Sequence, residues 1–129
     1  MASILVIEDE ASLRKVFMRM LSADGHAVTE ARDGADALRL LKSLQPDLIL
    51  TDIVMPDVDG LEIIAANRKR AQPAKLIAMS GTAGLGPDYL RTALELGADY
   101  ALQKPFRAAE LRAAVAACLD QGLPDQRYA

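Results

Sequence analysis

The polar side chains that could carry out chemistry stand at the ends of short apolar runs. Glu8 and Asp9 follow the first run, Asp52 the third, Ser80 the fourth and Lys104 the fifth. Three carboxylates in one place repel one another unless a cation neutralises them, and a ligand set made of oxygens favours Mg2+ over zinc. A lysine and a hydroxyl beside them suit a phosphoryl group, whose transfer needs positioning and charge neutralisation. These residues therefore indicate phosphoryl chemistry with bound Mg2+.

Each oxygen ligand can be given a role in such a site. Mg2+ retains several waters and uses few protein carboxylates directly. We therefore expect Asp9 and Asp52 to bind it directly, the backbone carbonyl of Val54 to be a third ligand, and Glu8 to act through a water molecule. A carboxylate beside a metal and a lysine can also attack phosphorus. Asp52 is thus the candidate to form an aspartyl-phosphate.

These residues can meet only if the apolar runs form one sheet. Leucine-rich and β-branched runs, typical of strands buried on both faces, alternate with segments whose apolar residues recur every three or four positions. This alternation predicts an α/β fold, a doubly wound parallel sheet with helices on both faces. We predict strands over 4–7, 27–31, 48–50, 75–79 and 100–103, and helices over 10–23, 34–44, 61–70, 87–97 and 108–119.

The strand order decides whether the polar strand ends share a pocket. In open parallel sheets, ligands bind outside the carboxyl ends of the strands, where the strand order reverses. With the order 2-1-3-4-5, strands 1 and 3 flank that point, and the second strand, which ends blandly at Ala31-Arg32, lies at the edge. Every polar strand end would then border one pocket.

Length and composition limit the classes of function. The chain has 129 residues, enough for one domain, which we place at 1–123 with a short tail at 124–129. A net charge of −3 without a basic run argues against a nucleic-acid partner. A single cysteine, Cys118, excludes an internal disulfide. The chain has neither a leader-like start nor an apolar run of about 18 residues. We expect a cytoplasmic protein without a membrane partner.

Four segments together point to a family. They are residues 4–10 (ILVIEDE), 52–60 (DIVMPDVDG), 79–81 (MSG) and 104–106 (KPF). In this order and spacing the chain resembles the receiver domains of two-component response regulators, the CheY-like family, from residue 4 to about residue 119. The resemblance implies the strand order 2-1-3-4-5 with five helices. The initial Met1 favours a stand-alone single-domain protein over a domain cut from a longer one.

The resemblance also implies roles for the polar residues. Asp52 would be the phosphoacceptor, Glu8 and Asp9 the acidic pair that binds Mg2+, Ser80 the switch hydroxyl and Lys104 the lysine that pairs with the phosphate. The phosphoryl group would come from a histidine kinase or a histidine phosphotransfer protein, and the signal would pass to an unidentified downstream protein. The family more often has Asp at the position of Glu8, a change expected to alter metal affinity slightly.

One departure affects how the signal is read out. The family usually carries an aromatic residue three positions before the lysine, where this chain has Ala101, and Tyr100 should point to the opposite face of the sheet. We expect the loop 81–86 and the following helix to transmit the signal instead. The resemblance further implies a cis peptide bond at Lys104–Pro105.

Three other functions can be weighed against this interpretation. A haloacid dehalogenase-type phosphatase would need an aspartate two residues after its nucleophile, where this chain has Val54, so we expect no enzyme beyond self-phosphorylation and slow self-dephosphorylation. A flavodoxin-like module would place an FMN phosphate beside the acidic pair, which would repel it. The third is a degenerate receiver that binds a partner without phosphorylation, an alternative that Ala101 leaves open.

Overall fold

Strands and helices alternate along the chain, as the apolar pattern predicts. The computed structural model describes residues 2–55, 58–81 and 86–120. Within these residues the elements, in chain order, are β1 (Ser3–Ile7), α1 (Ala11–Ala23), β2 (Ala27–Ala31), α2 (Gly34–Leu41), β3 (Leu48–Asp52), α3 (Gly60–Arg68), β4 (Lys75–Ser80), α4 (Gly86–Leu96), β5 (Tyr100–Gln103) and α5 (Ala108–Leu119). The predicted tail at 124–129 and most of the loop 81–86 lie outside the described residues.

All neighbouring strands of the sheet are parallel, and their order is β2-β1-β3-β4-β5. The predicted fold class, a doubly wound α/β sheet in the order 2-1-3-4-5, is therefore confirmed. β1 and β3 pair directly, with Ile7 opposite Thr51. Because the chain leaves β1 toward β2 and leaves β3 toward β4, the strand order reverses between β1 and β3.

Each face of the sheet is covered by a separate hydrophobic core. Alternate side chains along a strand point to opposite faces, so β1 contributes to both cores. On one face Ile4 and Val6 pack with α1 and α5. On the other face Leu5 and Ile7 pack with α2, α3 and α4. Burial on both faces explains why the inner strands are apolar except near their ends.

Two expected helical features are wrong. In the first helix the apolar residues recur every three or four positions as Leu13, Val16, Phe17, Met20 and Leu21, a spacing that predicts a buried Val16. Val16 is instead 56% exposed, whereas Arg14 is only 8% exposed. Arg14 precedes the buried Phe17 by three residues and so shares its side of the helix. Helix α2 ends at Leu41, and Leu44 packs against the core from beyond the helix end.

A glycine allows α3 to begin close to the end of β3. The Gly60 amide donates a hydrogen bond of 2.7 Å to the Ile53 carbonyl. A Cβ atom at position 60 would lie 2.6 Å from Ile53 Cα and closer still to the Asp52 carbonyl oxygen. Only a residue without a side chain fits such an approach. α3 is therefore fixed against the strand that ends in Asp52.

None of the helices in the described part of the chain combines the length and the apolar character needed to cross a membrane.

Candidate functional site

The sheet brings the chemically capable strand ends together at one edge. Glu8 and Asp9 directly follow β1, Asp52 and Ser80 are the last residues of β3 and β4, and Lys104 directly follows β5. These strands run parallel, so their carboxyl ends lie at the same edge of the sheet. The juxtaposition expected from the sequence is thus present in the structure.

Lys104 is the centre of the charged cluster. Its Nζ donates hydrogen bonds to Glu8 Oε1 at 2.7 Å and to Asp52 Oδ2 at 3.1 Å. Glu8 is almost fully buried, with 1% of its surface exposed, and Asp52 is 7% exposed. The Glu8 side chain also accepts a hydrogen bond from the Glu10 amide at 3.1 Å. Two buried carboxylates therefore share one ammonium group.

The arrangement of carboxylates fits a hard cation. One carboxylate oxygen from each of Glu8, Asp9 and Asp52 can be chosen so that the three lie within 4.8 Å of one another. Asp9 is exposed, which leaves the cluster open to solvent on one side. With three carboxylates against one ammonium, the cluster keeps an excess of negative charge. An all-oxygen donor set of this kind suits Mg2+, which binds through one or two carboxylates and keeps several waters.

Burial and charge shift the protonation equilibria of the cluster. Burial raises the pKa of Glu8 and of Asp52, although the nearby Lys104 ammonium acts in the opposite direction on both. Burial alone would lower the pKa of Lys104, but its hydrogen bond to Glu8 and the charge of Asp52 outweigh burial and raise that pKa. All three pKa values can be raised together. One ammonium group cannot fully compensate two buried carboxylates, whereas each carboxylate stabilises the charged ammonium.

The raised pKa of Asp52 predicts how stability depends on pH without metal. A carboxyl group whose pKa is raised by folding adds stability below its unfolded pKa, and this contribution is lost as the pH rises through the folded pKa. We expect Asp52→Asn to become more stable relative to wild type from about pH 4 to about pH 7, measured by urea unfolding in EDTA. Asp36→Asn should change in the opposite direction, because a hydrogen bond from Arg39 lowers the pKa of Asp36. Parallel pH profiles for the three proteins would contradict this expectation.

Ser80 and Val54 are joined to the cluster by hydrogen bonds that their backbone groups make with Lys104 and Asp52. The buried Ser80 hydroxyl donates a long hydrogen bond of 3.4 Å to the Gly81 carbonyl, and the Ser80 carbonyl accepts one of 2.7 Å from the Lys104 amide. The backbone amide of Val54 donates a hydrogen bond to the Asp52 carboxylate, which favours its charged form. Metal binding by the Val54 carbonyl stays a prediction.

Helix α1 anchors the loop that carries Lys104. The Lys104–Pro105 peptide bond is cis, the isomer that the resemblance implied. The next residue, Phe106, stacks on Phe17 of α1 with ring centroids 5.8 Å apart and an interplanar angle of 11°. The loop is thereby held to the same helix that begins after the acidic pair.

Tyr100 and Ala101 face opposite sides of the sheet, as expected from strand geometry. Tyr100 is buried in the core formed with α1 and α5. Ala101 is buried on the other face, in the core that includes Leu90 and Ala93 of α4. Tyr100 therefore cannot replace the aromatic residue missing at position 101. The prediction that the loop 81–86 transmits the signal concerns residues that lie mostly outside the described part of the chain.

Two features of the site were not anticipated from the sequence. The Glu8 carboxylate pairs directly with Lys104, a contact that the sequence does not predict, while its action on a metal through water stays a prediction. Arg14, assigned no role, donates a hydrogen bond of 2.8 Å from Nη1 to the Glu8 carbonyl. The sequence carries one signal for each contact. Glu at position 8 has a longer reach than the commoner Asp, and the helical spacing places Arg14 on the same side of α1 as the buried Phe17.

The sequence matches the family described as the response regulator receiver domain, over residues 4–116. The response regulator MprA of Mycobacterium sp. (strain KMS) is 33% identical over 123 residues, which cover 95% of this chain and 53% of that protein. The probable transcriptional regulator ycf27 of Guillardia theta is 40% identical over 116 residues, which cover 90% of this chain and 44% of that protein. This chain thus spans about half the length of these curated relatives.

Solved structures of receiver domains share the fold over nearly their full length. The receiver domain of NtrX from Brucella abortus gives a TM-score of 0.82 at 28% identity, covering 92% of this chain and 99% of that chain. The receiver domain of the Francisella response regulator 1452 gives a TM-score of 0.80 at 29% identity, covering 89% of this chain and 93% of that chain. The family match, the sheet order and the strand-end cluster agree, and the chain belongs to the response regulator receiver domains of two-component signalling.

Proposed function

We propose that this domain accepts a phosphoryl group on Asp52 in a Mg2+-dependent reaction and passes the signal on through protein–protein contact. The observation that carries this proposal is the Lys104 ammonium, 3.1 Å from Asp52 and 2.7 Å from Glu8, beside a third carboxylate from Asp9. A phosphoryl group on Asp52 would place more negative charge here. Lys104 and a divalent cation would neutralise that charge.

The metal would be held by the residues that form the acidic cluster. Asp9 and Asp52 would bind Mg2+ directly, with the Val54 carbonyl as a further ligand and Glu8 acting through water. Bound Mg2+ would supply positive charge for the phosphoryl oxygens and would offset the repulsion between Asp52 and its neighbours. Glu8 and Asp52 are both buried, and burial makes unneutralised carboxylates costly.

The transfer itself requires little covalent chemistry from the protein. An Asp52 oxygen forms a bond to phosphorus, the bond from phosphorus to the donor histidine nitrogen breaks, and the imidazole leaves with the electron pair and takes up a proton from solvent. The Lys104 ammonium exchanges a carboxylate partner for a phosphoryl oxygen, and the Ser80 hydroxyl turns from Gly81 to donate to another. The domain would then shift between two surface states.

The partners follow from the family. Its relatives are named as response regulators, which supports a histidine kinase or a histidine phosphotransfer protein as the phosphoryl donor and a downstream protein as the recipient of the signal.

Because Val54 carries no acid or base, the domain would not turn over small phosphate esters.

Removal of the metal tests the proposed function. We expect the wild-type protein to gain one phosphoryl group when incubated with acetyl phosphate and Mg2+, because the donor's phosphate and Asp52 repel each other less when a cation lies between them. Intact mass spectrometry measures the gain. The same incubation in EDTA should leave nearly all of the protein unmodified. A protein that stays unmodified with Mg2+, or that is modified equally in EDTA, would contradict the proposal.

A further inference from the structure

Arg14 is a buried charged residue that the proposed chemistry does not use. It lies in the first turn of α1 with 8% of its surface exposed. Its Nη1 donates a hydrogen bond of 2.8 Å to the Glu8 carbonyl, and its Nε donates one of 2.9 Å to Glu30 Oε1 on β2. Burial of a guanidinium group is costly unless it is paired and hydrogen-bonded. This arginine therefore has a specific partner at the segment that carries the acidic pair.

The Glu8 carbonyl needs a donor because its neighbouring strand ends too early. The Glu8 amide donates a hydrogen bond of 3.2 Å to the Ala31 carbonyl, which continues the ladder of hydrogen bonds between β1 and β2. In a parallel ladder the Glu8 carbonyl would next accept from the amide two residues beyond Ala31, which belongs to Asp33. However, β2 ends at Ala31, and Asp33 is the N-cap residue of α2. Arg14 supplies the donor that the strand does not.

The hydrogen bond from Arg14 fixes the peptide that joins the two acidic residues. The Glu8 carbonyl belongs to the peptide plane between Glu8 and Asp9, so its direction sets the backbone from which the Asp9 side chain departs. Asp9 is exposed and gains little orientation from packing. The Glu8 side chain is held separately by Lys104 and the Glu10 amide. Arg14 thus holds the backbone of the acidic pair, while these other contacts hold the Glu8 carboxylate.

We propose that Arg14 is a positioning residue of the Mg2+ site, and that Glu30 on the edge strand holds Arg14 in place. This inference rests on the proposed function, since it concerns the metal that the function requires. Groups that orient metal ligands without touching the metal commonly change metal affinity by about 10–100-fold when they are removed. The recorded contacts of the guanidinium are with the Glu8 carbonyl and the Glu30 carboxylate, so Arg14 acts on the backbone of the acidic pair.

The test is the Mg2+ dissociation constant of the unphosphorylated protein, measured by a chemical-shift titration of its backbone amides. We expect Arg14→Gln to raise this constant roughly tenfold. Arg14→Lys should give an intermediate value, because an ammonium can reach one acceptor but lacks the planar fork that joins Glu8 and Glu30. Glu30→Gln should raise the constant about two- to threefold, because Glu30 is 51% exposed and its ion pair is screened.

Two control variants separate positioning from stability. Arg112→Gln, on α5, breaks the ion pair between Arg112 and Asp24. The N–O distance of that pair is 2.9 Å, the same as between Arg14 and Glu30. Asn67→Ala removes two buried hydrogen bonds to the Ala74 backbone and should lower the thermal midpoint. Neither should change the Mg2+ dissociation constant of the folded protein.

The outcomes distinguish the inference from the function beneath it. A wild-type protein that binds Mg2+, together with folded Arg14→Gln, Arg14→Lys and Glu30→Gln proteins that bind it equally well, would overturn the inference alone. Arg14 would then serve only the stability of α1 and β2. A wild-type protein that does not bind Mg2+ would overturn the proposed function and the inference with it. If Arg14→Gln does not fold, the Arg14→Lys and Glu30→Gln titrations decide.

Discussion

Asp52→Asn is expected to abolish phosphorylation of this protein. Asparagine has nearly the shape of aspartate, but its amide lacks the anionic oxygen that must attack phosphorus. It also removes one ligand from the acidic cluster and one of the two carboxylates that Lys104 contacts. After incubation with acetyl phosphate and Mg2+, intact mass spectrometry should show the added phosphoryl group on wild type and none on the variant.

A second aspartate in the next segment provides the matched control. Asp59 is the N-cap of α3, where its side chain accepts a hydrogen bond of 3.1 Å from the Glu62 amide. Asparagine caps helices about as well as aspartate, so Asp59→Asn should fold and gain the phosphoryl group at close to the wild-type rate. Phosphorylation of Asp52→Asn to the wild-type extent would place the acceptor elsewhere and would overturn the proposed function.

Lys104→Met should slow phosphorylation roughly 100- to 1,000-fold at saturating Mg2+, the usual cost of losing one preorganised charge or donor at a transition state. The ammonium lies within hydrogen-bonding distance of Asp52 and is held there by Glu8. Methionine keeps much of the length of the side chain but cannot pair with a phosphoryl oxygen. The initial rate of phosphoryl gain, followed by intact mass, measures the effect.

Mg2+ affinity should respond to the same variant differently. Lys104 would compete with a bound metal for the carboxylates of Glu8 and Asp52, so its removal should leave Mg2+ binding unchanged or tighter. Lys75→Met is the control, because Lys75 is exposed at the first residue of β4, at the opposite end of that strand from Ser80. A Lys104→Met protein that is phosphorylated at nearly the wild-type rate would show that the ammonium is not needed.

The order of elements and the set of strand-end residues could be predicted from the sequence because both follow from simple patterns. Strands buried on both faces are apolar throughout, and the carboxyl ends of parallel strands share an edge. The predicted ends of the helices were less accurate. α2 ends at Leu41 and α3 at Arg68, earlier than the apolar spacing indicates, because local capping and not spacing decides where a helix stops.

The contacts within the site could not be predicted to the same degree. The direct pairing of Glu8 with Lys104 depends on the reach and direction of two flexible side chains from strands that are not neighbours. The role of Arg14 depends on a backbone carbonyl, which has no signature in a sequence. A charged residue on a helix normally indicates a solvent-facing position, and the contrary signal here is that Arg14 precedes the buried Phe17 by three residues.

The site has a further consequence, because its members come from distant parts of the chain. Glu8 and Lys104 are 96 residues apart, and Lys104 and Asp52 are 52 apart. We therefore expect phosphorylation to require the completely folded chain, and a truncated or partly folded copy to stay unmodified. Since the metal would bind only the native form, physiological magnesium would also shift the folding equilibrium toward molecules that can respond.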